Sequence, residues 1–260
     1  MVNPSSFHHR RLFAIGAIAI CLLATALCST KALAQRPDSN PTIQKIDASV
    51  AARDESLLGY TVTEIYRVYR GADKTHPAAK MTVKTTYRKE DGKSYVILSQ
   101  SGSELLLKEV LGRILDSERM MTQPANRAQA VLTTANYKMT LKGDETVDNR
   151  LCRMVAIEPK KNSPYLFRGT IWVDPQDGSI VKLEGVASKA ASVLAGASQV
   201  SRQYANINGL PMATRAEAQA GSWLLGQTTI DIDYSGYEMT LRGGSGGPQV
   251  VGQASATGVR

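Results

Sequence analysis

The stretch that most constrains the fold is residues 166–186, LFRGTIWVDPQDGSIVKLEGV. Two runs rich in β-branched and aromatic residues flank Asp174-Pro175-Gln176-Asp177-Gly178, residue types that favour a tight reversal of the backbone. The stretch therefore predicts a β-hairpin. Placing Val173 opposite Ser179 sets Ile171 against Val181, Gly169 against Leu183, and Arg168 against Glu184 as a cross-strand ion pair. Side chains alternate along a strand, so Phe167, Ile171, Val173, Val181 and Leu183 share one face, and Arg168, Thr170, Lys182 and Glu184 the other. Such a hairpin belongs to an antiparallel sheet with one covered and one hydrated face.

The N-terminus reads as an address. A basic start, His8-His9-Arg10-Arg11, precedes an apolar run from residue 12 to 28, and Ala32-Leu33-Ala34 supplies small residues for cleavage before Gln35. The run is short for a membrane span. Cys21 and Cys28 lack the small preceding residue that lipidation wants, since Ile20 and Leu27 stand there. The expected organisation is a signal peptide over 1–34, one β-rich domain over 35–242, and a Gly-rich disordered tail over 243–260. Cleavage leaves 28 basic against 23 acidic residues, a net charge of +5, because the leader holds Arg10, Arg11 and Lys31 and no acid. The charges are scattered, which argues against a nucleic-acid groove.

Along the mature chain, 42–58 predicts a helix ended by Gly59. Strands follow over 60–70, 80–89 and 93–100. The first has an apolar face of Tyr60, Val62, Tyr66 and Val68, interrupted by Glu64. Ser103 then caps a predicted helix to about residue 117, with a wide stripe of Leu106, Leu107, Val110, Leu111, Ile114 and Leu115. That helix either packs on the sheet or forms a lid over an apolar cavity, and the two are compatible. A short helix over 124–132 follows, then strands over 137–147, 150–159, the hairpin, 199–207, 210–218 and 222–234.

Little chemistry is visible. After cleavage His76 is the one histidine and Cys152 the one cysteine, so a multi-histidine metal site or an internal disulfide is excluded by count. His76 reads as a solvated loop residue, and Cys152 as a small core residue. Gly243-Gly244-Ser245-Gly246-Gly247 matches a nucleophile-elbow pattern without its strand and helix. No catalytic, metal or cofactor site is expected, and the chain does not read as an enzyme.

Residues 152–185, CRMVAIEPKKNSPYLFRGTIWVDPQDGSIVKLEG, resemble the superfamily of the outer-membrane lipoprotein carrier LolA, its LolB-like acceptors and RseB-like regulators. Three features carry the resemblance: Pro159-Lys160 at a strand end, Trp172 to Gly178 as a W-V-D-P-x-D-G turn, and the Gly209-Leu210-Pro211 strand start. It covers about 136–234. It implies an α+β fold, a curved antiparallel sheet or unclosed barrel with helices covering the concave face. It also implies a periplasmic carrier that binds the acyl chains of a lipid or lipoprotein and contacts inner- and outer-membrane machinery transiently. The alternative is a regulator using the same fold to hold a protein partner. Arg67 and Arg70 are the nearest match to the family's lid-positioning arginine. The expected cavity lining is Val83, Leu106, Val110, Ile114, Phe167, Ile171, Val181, Leu183, Ile230 and Ile232.

Overall fold

In the computed structural model the chain divides into two units, 1–37 and 38–260. The structure describes residues 40–188, 199–222, 226–243 and 248–251. The expected signal peptide and its cleavage point lie outside the described residues.

Helix α1 (Pro41–Ser56) leads into strands β1 (Leu57–Arg70), β2 (Ala79–Arg88) and β3 (Gly92–Gly102). Next come α2 (Glu104–Leu106), a π-helical stretch (Leu107–Gly112) and α3 (Arg113–Thr122), which run on as one helix, then α4 (Pro124–Ala130). The second half is β4 (Tyr137–Val147), β5 (Arg150–Pro159), β6 (Phe167–Val173), β7 (Ile180–Ala187), β8 (Gln199–Ile207), β9 (Leu210–Ser222), β10 (Gly226–Arg242) and β11 (Pro248–Val251). The strands form one antiparallel sheet in the order β3-β2-β1-β10-β9-β8-β7-β6-β5-β4, with β11 beside β10. No pairing joins β3 to β4 among the described residues, so the sheet is open.

Three local expectations change. Gly59 does not stop α1; the strand has already begun at Leu57. A Cβ on Gly59 would lie 2.8 Å from the Tyr87 carbonyl oxygen, so its missing side chain lets β2 approach. Ser103 precedes the 104–122 helix without a side-chain capping hydrogen bond. The tail is not wholly unstructured, since Pro248–Val251 pairs with β10 from Met239 to Arg242.

The hairpin forms with another register. Trp172 faces Lys182 and Val173 faces Ile180, which leaves Val181 as an extra residue. Such a bulge reverses the facing of the residues beyond it. Ile171 therefore pairs with Leu183, Thr170 with Glu184, and Arg168 with Val186. Glu184 makes its ion pair with Lys182, at 2.6 Å, rather than with Arg168. Val181 turns to the reverse face and packs with Cys152 and Trp172.

The turn of this hairpin seats α1. Asp174 Oδ1 accepts from the Gln176 N–H at 2.6 Å, and the Gly178 N–H donates to the Asp174 carbonyl at 2.9 Å. Gly178 has φ +73°, and a Cβ there would lie 2.4 Å from the Lys45 carbonyl carbon. Lys45 Nζ in turn donates to the Pro175 carbonyl at 2.7 Å. Ile43 and Ile46 then bury against Val155, Ile157, Ile171, Val173 and Leu183.

Gly178→Ala should therefore destabilise the protein by about 2–5 kcal/mol, adding a left-handed backbone penalty to displacement of α1. Gly209→Ala has a similar φ of +83° but open space around it, so only about 1–2 kcal/mol is expected. Urea unfolding compares them, and equal losses would contradict the seating of α1 by the turn.

Candidate functional site

The ten expected lining residues do not form one surface. Val83, Leu106, Val110, Ile114, Ile230 and Ile232 meet in a cluster between β1, β2, β10 and the 104–122 helix. Ile171 and Leu183 belong to a second cluster, covered by α1 rather than by that helix. Val181 lies in the third, on the reverse face, and Phe167 is half-buried outside all three. The 104–122 helix thus covers the first half of the concave face and α1 the second.

Its buried stripe runs Leu106, Leu111, Leu115 and then Glu118, which is only 7 % exposed. The acid extends the leucine stripe at helical spacing, one residue past the helix end expected from sequence. Lys93 Nζ, from the start of β3, lies 2.6 Å from Glu118 Oε2 and 3.5 Å from Glu64 Oε1. The Tyr95 hydroxyl donates to Glu118 Oε2 at 3.3 Å. Arg202 Nη2, from β8, lies 3.6 Å from Glu118 Oε1. Tyr66 donates to Glu64, whose side chain is fully buried on β1.

This cluster also reports the curvature of the sheet. Neighbouring strands lie about 4.8 Å apart, so in a flat sheet β3 and β8, five steps apart, would be roughly 24 Å from each other. Both reach the same carboxylate, so the sheet curls around the end of the helix. The helix end is fastened further: the Lys93 N–H donates to Thr122 Oγ1 at 3.0 Å. Arg127 on α4 donates to the Tyr87 hydroxyl and the Lys89 carbonyl, each at 2.8 Å.

Burial acts to raise the Glu118 carboxyl, but the Lys93 ammonium and the Arg202 guanidinium outweigh it and hold it below the ordinary glutamate range. Burial acts to lower Lys93, and Glu118, Tyr60 and Glu64 together hold it well above the ordinary lysine range. A proton-transfer catalyst needs a group that titrates near the working pH. Neither group of this pair does so, and the cluster is built for ion pairing. Among the described residues no group of three or more His, Cys, Asp or Glu is placed to hold a metal ion.

Arg67 is not placed at the helix. Arg67 pairs with Asp233, away from the concave side, and Arg70 is exposed at the end of β1. Lys93 and Arg202 supply the charge instead. His76 is exposed in its loop, 3.1 Å from Asp73 Oδ2. Cys152 is fully buried with its thiol pushed up by burial, as suits a core residue.

Beside the helix, an open groove of about 620 Å³ is lined by Met81, Ile97, Leu107, Leu115 and flanking charges. Its outer wall is edge strand β3, where Val96, Ile97 and Leu98 are 63 %, 49 % and 55 % exposed.

No family model matches the chain, and no curated protein matches it. Among solved structures, a putative outer membrane lipoprotein-sorting protein domain from Vibrio parahaemolyticus is 15 % identical with a TM-score of 0.44, covering 75 % of this chain and 91 % of its own. A LolA superfamily protein from Nitrosomonas europaea is 14 % identical with a TM-score of 0.42, over 75 % and 90 %. A DUF1329 family protein from Desulfovibrio piger is 14 % identical with a TM-score of 0.40, over 76 % and 93 %. An open antiparallel sheet with helices covering its concave face is the architecture that the sequence resemblance implies. The fold of the described residues is an open antiparallel sheet with helices across one face. Within this fold, the buried acid at the end of the covering helix and its two cations are what sequence reasoning missed. The available signals were Glu64 interrupting an apolar strand face and Glu118 continuing a leucine stripe.

The depressed Glu118 sets a pH dependence. A group lowered in the folded state contributes stability above its unfolded value, about pH 4.5, and loses it as pH falls through the lower folded value. Glu118 faces Lys93, Tyr95 and Arg202, with Glu64, Tyr66 and Tyr234 beside them. Stability should fall below pH 4.5 more steeply in the wild type than in Glu118→Gln. At neutral pH Glu118→Gln should cost about 3–5 kcal/mol at most, the range for breaking one side of a buried pair. Chemical unfolding across pH checks both, and parallel pH profiles would contradict the assignment.

Proposed function

We propose that this chain is a binding protein of the bacterial cell envelope, exported to the periplasm, that takes the acyl chain of a lipid or lipoprotein beneath the 104–122 helix. In this reading the helix is a lid and the protein a carrier. One observation supports it above the others: the lid's buried stripe ends in Glu118 rather than in another apolar residue. Replacing a buried ion pair by apolar residues is often neutral or stabilising, so such a pair is a poor device for permanent closure. It suits a contact that must come apart, because the Glu118 carboxylate leaves with the helix and regains hydration when it does.

The magnitudes permit opening. Leu106, Leu111 and Leu115 are each under 7 % exposed, and such burial contributes roughly 1.5–3 kcal/mol per side chain. A fatty chain gains about 0.8 kcal/mol per methylene, on the order of 10 kcal/mol gross. An acyl chain entering between lid and sheet therefore offsets the contacts that it separates, less the cost of its own ordering.

Displacement of the neutral dye N-phenyl-1-naphthylamine by palmitate tests the reading. Leu107, half-buried on the lid and facing the groove, is the residue to change. Leu107→Glu should weaken palmitate at least about tenfold, since an unpaired carboxylate would line the apolar path. Lys182→Glu, beside Trp172 on the reverse face, should not. Ile171→Glu is not a suitable probe, because Ile171 lies under α1. Circular dichroism separates lost binding from lost folding. A wild type that binds neither dye nor palmitate and carries no lipid contradicts the carrier reading.

A regulator that holds a protein partner is the second reading, favoured by the β3 edge. Residues 94–101 carry no charge, whereas free sheet edges in soluble proteins are ordinarily guarded by charge. An extended partner segment would add to this edge as a further strand.

A further inference from the structure

Lys93 and Arg202 reach Glu118 from widely separated strands, and of the two only Lys93 has an acid of the sheet as a further partner. Lys93 has Glu64 at 3.5 Å as a second partner. Arg202 lies between Leu183 and Ala216 on the neighbouring strands, both buried, and its Nε is buried without a hydrogen-bond partner. Lift the lid, and Glu118 leaves with it. The floor then holds two cations, Lys93 and Arg202, against one carboxylate, Glu64. It is left with one unmatched positive charge at the end of an apolar trough formed by Val83, Ile230 and Ile232. Arg202 is partly exposed, but its Nε is withdrawn from water, so an anion that pairs it again is favoured there.

We propose that Glu118 stands in for the head group of the bound molecule: the ligand is an anionic amphiphile, an acyl chain ending in a carboxylate or phosphate, and its head takes the Glu118 position between Lys93 and Arg202. This rests on the acyl-chain reading and narrows it. The lid carboxylate and the ligand head then compete for the same donors. The guanidinium presents a planar fork of donors suited to either oxyanion, and its free Nε–H would be used by a ligand with more than one oxygen to offer. The lid is an intramolecular competitor, so weakening its carboxylate raises apparent affinity for the ligand that mimics it.

The test is a dye-displacement series on the full mature chain with N-phenyl-1-naphthylamine as reporter. Its competitors are palmitate, hexadecyl phosphate, uncharged hexadecanol, and acetate or inorganic phosphate alone. Palmitate and hexadecyl phosphate should displace the dye about tenfold better than hexadecanol, the free anions not at all, consistent with a charge-assisted pair added to chain burial. Glu118→Gln should tighten palmitate relative to hexadecanol. Arg202→Gln, at a side chain 35 % exposed and so tolerant of change, should lower the palmitate-to-hexadecanol affinity ratio about tenfold. Circular dichroism confirms that each variant is folded. Equal displacement by palmitate, hexadecyl phosphate and hexadecanol overturns the head-group assignment while leaving the acyl-chain reading intact. Displacement by none of the amphiphiles overturns both. Displacement by acetate or phosphate alone overturns the proposal in favour of a free-anion site.

Discussion

The Glu118 ion cluster is the interaction on which the rest of the structure turns. It is the point where the edge strand β3, the inner strands β1 and β8 and the end of the covering helix converge. A sheet of this width has many ways to twist, and apolar contact alone does not choose among them. A carboxylate that must be met by a lysine from one side and an arginine from the other does choose. It fixes how far the sheet curls and where the helix lies. The cluster therefore contributes specificity of geometry more than net stability, which comes from the leucines beside it.

The two halves of the concave face differ in consequence. Under α1, contacts are apolar and close, and the hairpin turn is pressed against the helix backbone through Gly178. Lys45 and Asp47 of α1 add hydrogen bonds to the hairpin turn and to Thr134. Under the 104–122 helix, the first turns are held by leucines across a π-helical stretch, and the last turn by ions and hydrogen bonds. A π-helical stretch departs from regular helical bonding and often marks a functional position. Both helices thus combine apolar burial with polar contacts, and an ion cluster is added at the end of the 104–122 helix.

Much of the fold was legible because its sheet is hydrated on one face. Period-two alternation gave β2 with Met81, Val83, Thr85 and Tyr87 inward, and β10 with Ile230, Ile232 and Tyr234 inward, as observed. The spans of β4, β5 and β8 also agree with expectation. The hairpin register did not survive, because a bulge is one residue and leaves no trace in an alternating pattern that remains alternating on both sides of it. That single residue removed Val181 from the predicted lining. The split of the remaining lining between two helices was likewise illegible: alternation gives the face of a strand, not which helix covers it. The ion cluster was half visible. Glu64 and Glu118 each stood on an apolar face, but their cations come from strands 29 and 138 residues away from Glu64 in the chain (Lys93 and Arg202), brought in only by the curl of the sheet.

In the proposed carrier the 104–122 helix opens as a unit while the sheet stays folded. Native-state hydrogen exchange measures this directly, because amides released by a local opening exchange with a smaller free energy than those released only by global unfolding. Amides of the 104–122 helix should exchange together, well below the global unfolding free energy and below the amides of β1 and β10, and palmitate should shift them as a group. Exchange of those helix amides only at the global unfolding free energy, with or without palmitate, would contradict it.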